Sequence, residues 1–157
     1  MCSGKLLILV VGMLGFVLLE RRAEAQPVPS CTITTITNVA FGNYNVYGAS
    51  PVDTTGRVRI RCNAAANPIT VDLSRGNAPS FAPRYMLNGT EQLNYNLYMD
   101  GTRTIIWGDS TSGSSHYGPV NPPNNRNVNL TIYARIPPGQ DVGTGSYTDT
   151  VRATINF

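Results

Sequence analysis

Apolar and polar residues alternate along several stretches of the chain. The clearest case is residues 57–62, where Val58, Ile60 and Cys62 alternate with three arginines. A period of two places successive side chains on opposite faces of a β-strand, so one face of each stretch is expected to be buried. The same period recurs at 69–74, 93–100, 128–136 and 150–157. No stretch after residue 25 keeps a helical period, so the pattern predicts an all-β chain.

Turn-forming residues separate these stretches. Asn88-Gly89 and Asp100-Gly101 are typical hairpin dipeptides, and Asn67-Pro68 and Pro137-Pro138-Gly139 mark further reversals. The polar stretch 108–127 contains three prolines and is expected to be a surface loop. Many short strands with turns between them predict an antiparallel β-sandwich, with a closed barrel as the alternative.

The N-terminal segment, residues 1–25, has the features of a secretory signal peptide. Lys5 precedes an apolar run from Leu6 to Leu19, and Ala23-Glu24-Ala25 matches an A-x-A cleavage signal before Gln26. The run is shorter than the roughly 20 residues that span a bilayer. We therefore expect a mature chain of 26–157 that forms one domain and has no stable membrane insertion, with a signal anchor as the alternative.

Cysteine usage agrees with export. Removal of residues 1–25 takes Cys2 with it and leaves Cys31 and Cys62. An even pair in an exported chain predicts a disulfide between them, and two buried free thiols are the alternative. In the chain-entropy model a crosslink over a loop of this length stabilises the folded state by roughly 3–4 kcal/mol.

Charge is sparse and nearly balanced. Only 13% of the residues are charged, against about a quarter in typical domains. Residues 26–157 contain nine arginines, seven acidic residues and no lysine. Nucleic-acid binding needs a concentrated basic surface, so we expect no nucleic-acid partner. Arg57, Arg59 and Arg61 form a row that could bind polyanions, but a solvated face that discourages edge pairing is the preferred interpretation.

Residues with catalytic potential are few. His116 is the only histidine, and Asp109 and Ser110 lie near it in sequence, but the nucleophile pattern G-x-S-x-G is absent. One histidine and two paired cysteines cannot form a zinc site, and no EF-hand spacing or glycine-rich phosphate loop occurs. We expect no enzyme activity and no catalytic, cofactor or metal site.

An ordered set of short motifs resembles the spore coat protein U domain family. The motifs span nearly all of residues 31–157, and the set is specific although each piece alone is weak. They are Cys31, Phe41-Gly42-Asn43-Tyr44, the segments 56–62 and 93–100 with Arg84 and Met86 between them, Trp107-Gly108, and the segment 145–151. The family is similar to the subunits of archaic, Csu-type chaperone–usher pili.

This resemblance implies an immunoglobulin-like sandwich that lacks its last strand. It also implies export through the periplasm, a periplasmic chaperone and an outer-membrane usher as partners, and a structural role in a spore coat or surface fibre with other subunits. The alternative is a monomeric secreted binding module, a lectin-like sandwich that uses the loop 108–127.

The resemblance further assigns an assembly groove to the last predicted strand. Val151, Ala153, Ile155 and Phe157 would line it, and a neighbouring chain would cover them by adding a strand. If these four apolar side chains stay uncovered, the folded subunit loses roughly 6–12 kcal/mol of stabilisation from burial, at about 1.5–3 kcal/mol for each side chain.

One segment departs from the pattern of those pilins, whose donated strand precedes the first cysteine. Only Gln26-Pro27-Val28-Pro29-Ser30 lies between the predicted cleavage site and Cys31. Its two prolines lack the backbone N–H groups that a strand uses to hydrogen-bond to its neighbour. We therefore expect a poor donor strand. The alternative is cleavage farther upstream, which would retain part of Phe16–Leu19.

Overall fold

Eight β-strands make up the regular structure of the computed structural model, which describes residues 30–63 and 68–157. No helix occurs within those residues, and so none could cross a membrane. The predicted signal peptide and Asn67 lie outside them. The strands are β1 (Cys31–Thr37), β2 (Val52–Cys62), β3 (Ile69–Leu73), β4 (Arg84–Asn88), β5 (Glu91–Tyr98), β6 (Tyr117–Val120), β7 (Asn127–Ile136) and β8 (Ala153–Asn156).

The strands form two antiparallel sheets with one core between them. The first sheet has the order β1-β2-β7-β5-β4 and the second has the order β6-β3-β8. Most apolar residues of the alternating stretches point inward, and Ile60, Ile69, Val71 and Ala134 are all fully buried. This arrangement confirms the predicted all-β, immunoglobulin-like sandwich, since the two-residue period fixes which face of each strand is buried.

The predicted disulfide is present. Cys31 lies opposite Cys62 in the antiparallel pairing of β1 and β2, with their Cα atoms 4.0 Å apart. Both sulfur atoms belong to one crosslink, so the alternative of two free thiols does not apply. The bond ties the start of β1 to the end of β2.

Connections between strands follow the turn residues, with one exception. Asn88 and Glu91 are paired across the β4–β5 hairpin, and Gly89 adopts a φ of +60° in its two-residue loop. The polar stretch 108–127 is not entirely a loop, because it contains β6, which pairs with β3. Gly118 and Pro119 interrupt the apolar–polar alternation within β6, so the sequence pattern did not predict this strand.

Candidate assembly groove

Four of the eight described strands occupy sheet edges, β1 and β4 in the first sheet and β6 and β8 in the second, and β1 and β8 lie close to each other. β1 pairs only with β2, and β8 pairs only with β3, among the residues that the structure describes. Each therefore has a second backbone edge with no strand beside it. Unpaired edge groups are a ready template for an added strand.

An opening with an apolar base and partly polar walls, which we call the groove, lies between these two edges. It has a volume of about 420 Å³. The residues at its base include core side chains from both sheets, among them Val58, Leu73 and Leu97. Its walls are the segments 36–39 and 147–151, together with Phe41 and Ala153. The groove thus leads from the surface into the hydrophobic core.

A second cavity adjoins the groove. Its volume is about 700 Å³, and it lies between the segments 39–47 and 142–148. The two cavities share Val39, Phe41, Met86, Tyr147 and Thr148. Together they form a continuous depression along one end of the sandwich.

The wall on the β1 side depends on a close approach to Gly56. A Cβ atom at Gly56 would lie 2.9 Å from the carbonyl oxygen of Thr37 and 2.8 Å from the side chain of Val39. Glycine at this buried position therefore allows the chain to leave β1 across β2. Ile36, at the rim of the groove, keeps 56% of its surface exposed.

The opposite wall, residues 147–151, is held by hydrogen bonds. Thr148 and Leu87 exchange backbone hydrogen bonds of 2.9 and 3.0 Å. The Tyr147 hydroxyl donates to the Glu91 carboxylate, which also accepts from the backbone of Gly143 at 2.7 Å. These two hydrogen bonds lower the pKa of Glu91, with the one from Tyr147 contributing more. The wall is therefore fixed to the β4–β5 hairpin.

A buried tyrosine, Tyr95, also hydrogen-bonds to a residue of this wall. The Tyr95 hydroxyl donates to Asp149 at 2.6 Å, and the other carboxylate oxygen of Asp149 accepts from the backbone of Asn77 at 2.9 Å. Burial raises the pKa of Tyr95, and its hydrogen bond to Asp149 adds to the effect. The ring of Phe41 packs edge-on against Tyr95, with 5.8 Å between ring centroids.

The structure separates the four residues that the sequence assigned to an assembly groove. Val151 and Ala153 lie on the wall of the groove. Ile155 is farther along β8, opposite Val71, and packs against the core from the edge of the sheet. Phe157 follows the end of β8 and is 66% exposed. Alternation in sequence therefore identifies the inward face of β8, but only its first half borders the groove.

The β1 side of the groove, residues 36–39, was not identified from the sequence. The segment 147–150 lies within the motif segment 145–151 but was not predicted to line the groove, and the fold alone brings the two segments together. The signals available in the sequence were Ile36, an apolar residue between two threonines, and the motif Phe41-Gly42-Asn43-Tyr44.

The residues with catalytic potential do not form a catalytic arrangement. Nδ1 of His116 lies 3.5 Å from Asp72, whereas the hydroxyl of Ser110 accepts a hydrogen bond from the backbone of His116. Asp109 accepts from the backbone of Thr111. Ser110 is therefore engaged by the backbone of His116, and the carboxylate beside the imidazole comes from β3. No group of three or more potential metal ligands occurs among residues 30–63 and 68–157.

The fold and the groove define an immunoglobulin-like sandwich with an opening between two edge strands. The chain belongs to the spore coat protein U domain family, whose profile matches residues 19–154. It is 34% identical over 130 residues to Protein U of Myxococcus xanthus, an alignment that covers 74% of this chain and 70% of that protein.

A solved structure has a similar fold. It is the crystal structure of a chaperone–tip adhesion subunit pre-assembly complex from the archaic chaperone–usher Csu pili of Acinetobacter baumannii. The match to one of its chains has a TM-score of 0.50 and 24% identity, and it covers 83% of this chain. This chain spans 40% of the length of that solved chain. The likeness supports the fold assignment.

Proposed function

We propose that the protein is a structural subunit of a bacterial spore coat or surface fibre, assembled by strand addition at the groove. The observation that carries the proposal is an opening with an apolar base that leads to the core between two edge strands, β1 and β8. Membership in the spore coat protein U domain family supports the structural role. The fold shared with a chain of a chaperone–usher pilus complex supports the mode of assembly.

A strand added at the groove would both hydrogen-bond to the edge strands and cover apolar side chains of the groove. An extended segment laid between β1 and β8 would hydrogen-bond to backbone groups that have no strand partner among the residues that the structure describes. Its alternate side chains fill the groove and cover Ile36, Val151 and Ala153. Each apolar side chain that is fully covered contributes about 1.5–3 kcal/mol.

Export to the cell or spore surface is part of the same proposal. The predicted signal peptide, residues 1–25, would direct the chain through the periplasm, where a disulfide between Cys31 and Cys62 can form. A periplasmic chaperone would cover the groove until an outer-membrane usher replaces it with a strand of another subunit. The role is structural and involves no catalysis.

The experiment compares two neighbouring substitutions in the native host. Val151→Asp places a charge on the wall of the groove, and Arg152→Asp places the same residue at an exposed position beside it. We expect Val151→Asp to remove the protein from the assembled surface fraction, because a buried carboxylate opposes strand insertion. Arg152→Asp should leave assembly near the wild-type level. Normal assembly of Val151→Asp would contradict the proposal.

The strand donor, in this proposal, is another protein. The segment 26–30 contains two prolines and a single large apolar residue, Val28, which cannot fill a groove of several side-chain pairs. We expect deletion of residues 26–30 to leave assembly intact. The measurement is N-terminal sequencing of the native protein, combined with gels that test for heat-sensitive multimers. A start at Gln26 with multimers that the deletion abolishes would show that this chain donates its own strand.

A further inference from the structure

Three arginines form a row on the outer face of the first sheet. Arg57, Arg59 and Arg61 alternate in β2 with the buried residues Val58, Ile60 and Cys62. Alternate residues of a strand are about 6.8 Å apart, so the arginine row places three guanidinium groups in a line over about 14 Å. Arg57 and Arg61 are exposed, and Arg59 is half-buried.

The position of β2 rules out protection of a sheet edge as the purpose of this row. β2 lies between β1 and β7 and is hydrogen-bonded to both. The edge-pairing part of the interpretation preferred from the sequence is therefore wrong, whereas the exposed strand face that it predicted is present, with Arg57 and Arg61 both exposed. Like charges in one line repel one another, and an external anion would relieve that repulsion.

The arginine row is surrounded by uncharged polar side chains. Residues that are directly paired across antiparallel strands share a face, so each arginine has one neighbour on β1 and one on β7. These neighbours are Thr32, Thr35 and Thr37 on β1, and Asn127, Asn129 and Thr131 on β7. The Asn129 side-chain oxygen accepts a hydrogen bond of 2.8 Å from Arg59.

Ion pairing does not neutralise the arginine row within the part of the chain that the structure describes. The nearest acidic residue in the same strand, Asp53, is bound by Arg135 at 2.7 and 2.9 Å and by Arg103 at 3.2 Å. In contrast to Arg103 and Arg135, the three arginines of the row have no carboxylate partner among residues 30–63 and 68–157. Their charge is therefore available to an external anion.

A second copy of the chain is poorly suited to supply that anion. Most acidic residues already accept hydrogen bonds within the chain, so an ion pair with another copy would compete with those contacts. Those with such bonds are Asp53, Asp72, Glu91, Asp100, Asp109 and Asp149.

We propose that this face of the sheet binds an acidic polysaccharide. Guanidinium groups bind carboxylate, sulfate or phosphate groups in a bidentate manner, and the flanking hydroxyl and amide groups can hydrogen-bond to sugar hydroxyls. A straight row of charges suits a linear polymer that carries charge along its length. None of the six cross-strand neighbours is aromatic, although Tyr133 lies on the same face two residues beyond Thr131 and beside Arg103. Three arginines among uncharged side chains are not the concentrated basic surface that nucleic-acid binding needs, so the face is better suited to a sugar polymer.

The test compares two double substitutions that remove equal charge. Arg57→Thr with Arg61→Thr weakens the arginine row, while Arg126→Thr with Arg152→Thr removes two exposed arginines outside it. The full-length mature protein is titrated with heparin as a sulfated polymer, polygalacturonate as a carboxylated polymer, neutral dextran and double-stranded DNA. We expect the first variant to lose about tenfold in affinity for the charged polysaccharides and to show a weaker salt dependence. The second variant should change by about twofold or less.

Several results would overturn the proposal. These are equal losses in the two variants, absence of binding to both charged polysaccharides, binding to dextran of equal strength, or tighter binding to DNA. Preference between heparin and polygalacturonate would identify the anionic group.

Footprinting on the unsubstituted protein gives an independent readout. Polysaccharide should protect Arg57 and Arg61 from modification by phenylglyoxal, measured by mass spectrometry, and should leave Arg126 and Arg152 reactive. Uniform protection, or none, would contradict the assignment even if a variant folded poorly. Strand addition at the groove does not enter this test, so its result is separate from that of the proposed function.

Discussion

At the scale of single residues, the buried Arg84 is the least expected feature. Its side chain is 0% exposed and lies over the ring of Phe81. All its hydrogen bonds go to uncharged oxygens: the carbonyl of Ser74, the side chain of Asn96 and the carbonyl of Trp107, at 2.6–3.0 Å. Burial lowers the pKa of Arg84 to about 10. The guanidinium therefore connects, by hydrogen bonds, the residue after β3, strand β5 and the segment around Trp107.

Replacement of Arg84 by Met should lower the free energy of unfolding by about 3 kcal/mol or more. The substitution leaves several buried oxygens without donors, and each such group costs about 1–3 kcal/mol. Arg75→Met is the matched control, because Arg75 also packs on Phe81 but is exposed. Denaturant unfolding of both variants measures the effect. Equal stability of the two variants would show that the polar network is dispensable.

The hydroxyl of Tyr95 predicts a dependence of stability on alkaline pH. Burial and the hydrogen bond to Asp149 raise the pKa of Tyr95 in the folded state above its ordinary value of 10. Its contribution is therefore fully present below pH 10 and is lost as the pH rises further, because only the unfolded chain ionises there. Between pH 10 and 12, unfolding free energy should fall more steeply for the wild type than for Tyr95→Phe. Arg84, with a pKa of about 10, is present in both proteins and affects both pH profiles alike. Parallel profiles of the wild type and Tyr95→Phe would therefore mean that Tyr95 does not cause the loss of stability.

At the scale of elements, local pattern explains the strands but not the groove. The alternation at 57–62 and 128–136 predicted β2 and β7, because a two-residue period with one buried face is a local property. β1 and β4 lie outside the five alternating stretches, and β6 was missed because Gly118 and Pro119 interrupt its pattern. Arg84 was not expected to be buried, since arginine is rarely buried. The segments 36–39 and 147–150 meet only through sheet topology, which is not readable from either segment.

Gly56 links the path of β1 to the shape of the groove. Gly56→Ala should lower the free energy of unfolding by about 1–3 kcal/mol, since the new Cβ would overlap backbone atoms of the segment 37–39. Gly101→Ala is the control, because its Cβ would lie 3.5 Å from Tyr133, an ordinary contact distance. Denaturant midpoints of the two variants give the comparison. A stable Gly56→Ala protein would mean that the segment 37–39 can shift away from β2.

At the scale of the whole molecule, the sandwich presents two different surfaces. One end opens between β1 and β8 into the core, and the outer face of the first sheet carries the arginine row. We expect the groove to join the subunit to its neighbours through backbone hydrogen bonds and apolar side chains. The arginine row would remain outside the strand-addition site, so a subunit in an assembly could still bind a charged polymer.

The most direct test of strand addition is amide hydrogen exchange of the edge strands. Exchange is measured by mass spectrometry on the isolated subunit and on the native assembly. We expect amides in β1 and β8 to exchange at least about tenfold more slowly in the assembly, because an added strand supplies hydrogen-bond partners and excludes water. β5, which already has strand partners on both sides, is the internal reference. Unchanged exchange in β1 and β8, with protection confined to other surfaces, would contradict assembly through the groove.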